Sequence, residues 1–120
     1  MLLLDTNAIL RFVLQDNNKM SDEVEDILLS RTDIVVPLEV VAEMVYVLSK
    51  VYRMSRKEIV NKITKISDLG LILEKEVVLY GINLFASAKL DFVDCLLAAY
   101  SKIKGHEVFT FDKELKKQLV

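Results

Sequence analysis

Residues 1–10 read MLLLDTNAIL, an apolar run stopped by an aspartate, a threonine and an asparagine. A short Leu-rich run bounded by polar residues reads as a buried strand. The carboxylate directly after it, Asp5, has two readings. It caps the following helix, Thr6 to about Leu14, by accepting from free N–H groups of the first turn. Alternatively, it stands at a strand's carboxyl end as a cation ligand, which requires partner acids from elsewhere in the chain.

Outward from this stretch, strand and helix signals alternate. After the polar break QDNNK, Ser21 followed by Asp22 and Glu23 predicts a second helix to about Leu29. DIVV (33–36) predicts a second strand. Pro37 opens a long helix at a favourable N1 position. Val40, Val41, Met44, Leu48, Val51 and Tyr52 form its apolar face, with Glu39, Glu43, Tyr46, Lys50 and Arg53 on the opposite stripe. Ser55 with Glu58 three residues on is a capping box starting a helix to about Ser67. LILE (71–74) predicts a third strand, followed by a helix over 75–88. Asp91 is a cap candidate and Gly105 a C-terminal stop for the helix in LDFVDCLLAAYSKIKG. EVFTFD (107–112) predicts the last strand and KELKKQL a short closing helix. Such alternation predicts an α/β fold with a covered parallel sheet and a ligand site at the strands' carboxyl ends.

The 120 residues fit one domain, 1–120. With 52% hydrophobic residues, 3 Gly and 1 Pro, the chain has ample core and no linker or low-complexity stretch. Its apolar runs fall short of the roughly 18 residues of a membrane span, and no basic segment precedes the first, so a cytoplasmic protein without signal peptide or membrane segment is expected. The single cysteine, Cys95, reads as a small buried hydrophobe. With one His, His106, beside it, a Cys/His zinc site is excluded by count. A net charge of −2 and a pI of about 5.4 argue against a broad duplex-binding footprint and leave room for a local nucleic-acid cleft.

Four acids stand out: Asp5 and Asp112 after apolar strands, and Glu43 and Asp94 on helices. Gathered together, they would repel one another unless a cation neutralised them. A hard dication, Mg²⁺ or Mn²⁺, prefers such oxygen donors. It can acidify a water and stabilise charge on a phosphate oxygen, the logic of a phosphodiesterase. Taken singly, each acid has a plainer reading. Asp5 and Asp112 can be helix caps, Glu43 a solvated surface residue, and Asp94 a complement to its helix dipole after a capping Asp91. A phosphotransferase of the dehalogenase type would need a second aspartate where Asn7 stands, and the arrangement after LILE and VFTF does not match a receiver domain.

In order along the chain, LLLDTN, VPLEVVAEMVYVL, LDFVDCLLAAY and VFTFDKEL resemble the motifs of the PIN-domain family, and within it the small ribonuclease toxins of the VapC type. Glu43 falls at the helical acid, Asp94 at the metal-binding acid of the D-x-x-D-A-x-x-A-A helix, and Thr110 with Asp112 at the closing T-x-D. Cys95 stands where the family usually has alanine. The resemblance implies a three-layer α/β/α fold with a central parallel sheet of four to five strands. It also implies an endoribonuclease holding one or two Mg²⁺ or Mn²⁺ ions and cutting RNA through metal-activated water, with an antitoxin partner and a homodimer. On this reading Asp5, Asp94, Asp112 and Glu43 are the catalytic and metal-binding set. Asn7, Thr110 and Asp91 support the carboxylates from behind. Lys50, Arg53, Arg56 and Lys57 are available for phosphate contacts, though an ordinary solvated face is their plainer reading. The alternative is a catalytically weak PIN-like module that binds another protein.

Overall fold

The structure, a computed structural model, describes residues 1–119. The chain order is β1 (Leu2–Leu3), α1 (Thr6–Leu14), α2 (Asn18–Ser30), β2 (Ile34–Val35), α3 (Leu38–Lys50), α4 (Arg56–Asp68), α5 (Lys75–Ser87), α6 (Phe92–Lys104) and α7 (Lys113–Lys116). β1 and β2 pair in parallel, Leu2 opposite Ile34 and Leu3 opposite Val35. The N–H groups of Leu2 and Leu4 donate to the carbonyls of Asp33 (2.8 Å) and Val35 (3.1 Å). The fold is therefore α/β with parallel strands, as the alternation predicts, but helices dominate it.

The predicted third and fourth strands are absent from the sheet among the described residues, which holds two strands rather than four to five. LILE is too short for a strand of its own. Gly70, at φ +76°, ends the preceding helix in a left-handed conformation that favours glycine, and α5 begins only five residues later. Leu71 and Ile72 still enter the core, and the Leu71 carbonyl accepts one bond from Val36 N–H at 2.8 Å. EVFTFD departs further. Among the described residues, 107–111 make no backbone–backbone hydrogen bond, and Phe109 and Phe111 are 85% exposed, packed edge-to-face on each other 5.2 Å apart. Because Leu2 and Leu4 turn their amides toward β2, the N–H and C=O of Leu3 point to the other edge of β1. Among the described residues no strand pairs with that edge, and Leu3 is 59% exposed.

The helices follow their sequence signals with local shifts. Asn17, not Ser21, caps α2: its side chain accepts from Met20 N–H at 3.1 Å, and Ser21 lies buried one turn inside. Pro37 occupies the N-cap position rather than N1, its ψ of 156° still extended. Ser55 forms the capping box, with Glu58 N–H donating to its Oγ at 3.2 Å and its hydroxyl donating to Glu58 Oε1 at 3.0 Å. Asp91 sits at the N-cap of α6 but its side chain makes no capping bond. Gly105, at φ +70°, closes α6.

The buried apolar side chains form one connected core, with Ile9, Val41, Met44, Leu48, Ile59, Ile63 and Ile82 inaccessible to solvent or nearly so. Antiparallel α5 and α6 pack closely at Gly81. A Cβ there would meet Leu96 Cδ2 at 3.2 Å and the Cys95 carbonyl oxygen at 3.5 Å. The loop between these helices is held from α4. Arg56 Nη1 lies 2.8, 3.1 and 2.7 Å from the carbonyl oxygens of Phe85, Ala88 and Leu90. Its guanidinium carbon stands 4.0 Å above the Phe85 ring. One cation thus satisfies carbonyls left over at the end of α5 and in the turn into α6.

Replacing Arg56 with Met orphans those carbonyls while keeping much of the side chain's bulk. Bonds to a charged donor of this kind contribute roughly 1.5–3 kcal/mol. Urea unfolding of Arg56→Met is expected to show a loss of about 2 kcal/mol with an unchanged slope. A loss under about 0.5 kcal/mol, typical of neutral surface changes, would deny the clamp its role.

Candidate metal centre

Asp5 reaches its position through Leu4, which is buried and fixes the end of the strand segment. Its Oδ1 accepts from Ala8 N–H at 2.8 Å, so Asp5 is itself the N-cap of α1. Its second oxygen makes no hydrogen bond among the described residues. Asp112 does the same work for α7. Its Oδ1 accepts from Glu114 N–H at 2.8 Å and Leu115 N–H at 3.0 Å. The Asp112 N–H in turn donates to Thr110 Oγ1 at 3.0 Å. Thr110 thus fixes the backbone that carries the carboxylate rather than the carboxylate itself. Asp5 and Asp112 both fulfil the capping reading and keep one carboxylate oxygen without a hydrogen bond among the described residues.

Glu43 is exposed on α3, on the face opposite the buried Val41, Met44, Val45 and Leu48. Asn7 is exposed in the first turn of α1 and makes no side-chain hydrogen bond among the described residues. Asp94 is half-buried in the first turn of α6, between the buried Phe92 and Cys95. Burial pushes its carboxyl above the ordinary value, and the neighbouring charges of Asp112 and then Asp91 push it further. The structure therefore brings Asp112 and Asp91 within electrostatic reach of Asp94. It does not draw Asp5 and Glu43 in with them: no group of three or more His, Cys, Asp or Glu residues stands at ligand spacing among the described residues. The donor chemistry suits a hard dication, and the strain on Asp94 is of the kind a cation relieves. The cage itself is not assembled.

Two neighbours complete the setting. Burial pushes the Cys95 thiol up to about 11, which makes it a packing residue, as expected, and no nucleophile. Arg56, counted among possible phosphate contacts, is committed to the three carbonyls of the α5–α6 turn. No short-range signal foretells this, because its partners lie 29–34 residues away. A cleft of about 290 Å³ opens beside Asp94, lined by Tyr46 and Lys50 of α3, Asp91 and Val93 of α6, and Arg56. No helix among the described residues is long and apolar enough to cross a membrane.

The chain matches the family model described as PIN domain over residues 2–118. It is 29% identical over 123 residues to the VapC ribonuclease of Aquifex aeolicus (strain VF5), a similarity that spans 98% of this chain and 91% of the relative. No solved structure matches the chain at a significant level.

The raised Asp94 carboxyl has a consequence for stability. The folded state binds this proton more tightly than the unfolded state, so stability falls as pH rises from the ordinary carboxyl value, about 3.9, through the raised one. In a chelating buffer, Asp94→Asn is expected to unfold at higher urea than the natural chain near pH 7. The difference should disappear as pH drops below about 4. A variant less stable than the natural chain at pH 7 would show that the ionised carboxylate is favourably held.

Proposed function

The chain belongs to the PIN domain family, and on that premise we propose that it is a Mg²⁺- or Mn²⁺-dependent endoribonuclease, the toxin of a toxin–antitoxin pair. The observation that carries this reading is the Asp94 carboxylate, half-buried and crowded by Asp112 and Asp91 at the head of α6. Its ionised form is costly without a cation and makes no hydrogen bond or ion pair among the described residues. The name of the Aquifex relative, a ribonuclease, supplies the substrate class.

Asp5 and Asp94 would hold the cation directly, Asp5 through the oxygen its cap leaves free. Asp112 would hold a second ion or act through water, and Glu43 would orient the attacking water or complete the shell. Thr110 would hold the backbone that carries Asp112, while Asn7 and Asp91 would support the ligating carboxylates through water. When bound, the cation neutralises charge on a phosphate oxygen and acidifies a water. In the working state, segment 107–111 lies along the unpaired edge of β1. That docking carries Asp112 toward Asp5, buries Leu3, Phe109 and Phe111, and extends the sheet toward the four or five strands of a three-layer α/β/α arrangement. RNA, a cognate antitoxin and a second copy of the chain in a homodimer are the partners, and the cytoplasm is the compartment.

A second reading is a PIN-like module whose main work is binding another protein. The exposure of Phe109 and Phe111, 85% each, favours it, since paired aromatics of this kind mark interaction surfaces. Cleavage separates the two readings. Asp5→Asn and Asp94→Asn are expected to lower Mg²⁺-dependent RNA cleavage at least about a hundredfold, in keeping with loss of a metal ligand's contribution, with unchanged circular dichroism. Expression of the natural chain should arrest growth, with relief by the neighbouring open reading frame. Wild-type cleavage by purified Asp94→Asn would sink the metal-site assignment, and a natural chain without nuclease activity would leave the binding module.

A further inference from the structure

Outside the acids, the side chain with the clearest unused capacity is Tyr46. It stands on α3, three residues after Glu43 and four before Lys50. That spacing puts the three on one stripe of the helix. Its ring is 63% exposed and makes neither a hydrogen bond nor a ring contact among the described residues. It lines the 290 Å³ cleft that also touches Lys50, Asp91, Val93 and Asp94. Val93, at 58% exposed, presents a second apolar surface there.

We propose that this cleft is a nucleobase subsite: one unpaired base of an RNA strand stacks on the Tyr46 ring against Val93, and Lys50 meets the adjoining phosphate. The inference rests on the ribonuclease reading and specifies how that site holds its substrate. Size favours a single flat ring system, since pockets for drug-sized ligands begin at about 300 Å³. The lining combines an aromatic face, an aliphatic wall and one cation, the set with which proteins hold single strands. The strand must be unpaired, because a duplex keeps its base faces stacked inside.

Charge places the phosphate. Asp91 and Asp94 repel it from the α6 side, and Nη1 of Arg56 is taken up by carbonyls. Lys50, exposed at the end of α3 and in no ion pair among the described residues, is the cation available. With a net charge of −2, the chain has little general attraction for a polyanion, so stacking carries a larger share of the affinity. Because every base has a π-face, the subsite tolerates any base and sets position rather than sequence.

The test is equilibrium binding of short, unstructured, fluorescein-labelled RNA with Ca²⁺ replacing Mg²⁺, alongside Mg²⁺-dependent cleavage. Tyr46→Leu is expected to weaken binding about tenfold, within the range of base–aromatic stacking, and Tyr46→Phe to bind as the natural chain does. RNA carrying abasic residues should bind the natural chain as weakly as intact RNA binds Tyr46→Leu. Lys50→Ala should flatten the salt dependence by about 0.7 in log–log slope, one phosphate's worth on a single strand. Tyr46→Leu should leave that slope alone. If Tyr46→Leu binds and cuts RNA like the natural chain, the subsite is wrong while the ribonuclease reading stands; a protein partner in the cleft would give this same result. If the natural chain neither binds nor cuts RNA, the ribonuclease reading fails and the subsite with it.

Discussion

A single cation organises the end of the molecule that carries the candidate site. Arg56 projects from the first turn of α4 and gathers the carbonyls of Phe85, Ala88 and Leu90 at the end of α5 and in the turn beyond it. The next residue, Asp91, starts α6, and Asp94 follows in its first turn. The position of Asp94 relative to α3 therefore depends on a contact made from a third helix. Close packing at Gly81 supplies the other constraint on α6. The exposed ion pairs are of a different order. Lys104 stands 3.8 Å from Glu74 and Lys117 3.3 Å from Glu114, all four side chains well solvated. Pairs of this kind contribute about 0–1 kcal/mol, so neither can substitute for the Arg56 clamp.

The acids illustrate how one side chain serves two purposes. Asp5 and Asp112 each spend one carboxylate oxygen on a helix N-terminus, α1 and α7 respectively. Capping orients the carboxylate and leaves the other oxygen for a ligand. Capping and ligation, which look like rival explanations in the sequence, are thus compatible in one residue. Asp94 has no such cap bond, and burial together with Asp112 and Asp91 leaves its charge poorly accommodated. Residues 107–111 run outside the sheet with unpaired backbone and exposed phenylalanines, and one edge of β1 is likewise unpaired among the described residues.

The elements legible in the sequence are those set by short-range chemistry. The α1 boundaries, the Ser55–Glu58 capping box and the Gly105 stop all follow from residues within a turn of where they act. Asn17 displaced Ser21 as the cap of α2 because both residue types cap well and the hydrophobic period does not fix which of them begins the helix. EVFTFD carries a strand's composition, but a strand exists only when another edge accepts its bonds, and no periodicity encodes that. Arg56 was equally hidden: a lone arginine after a capping serine reads as solvated, and its carbonyl partners come from a distant helix end. At the site, the residue types and their order along the chain pointed to the acids. The approach of Asp112 to Asp94 needed the fold.

On the proposed function, these carboxylates close on a divalent cation when segment 107–111 joins the sheet. Anomalous diffraction from crystals of the natural chain soaked in Mn²⁺ addresses it most directly. The expected result is an anomalous peak between the carboxylates of Asp5 and Asp94, with residues 107–111 paired along β1. Ordered carboxylates of Asp5 and Asp94 that remain apart, with no anomalous peak between them, would contradict it.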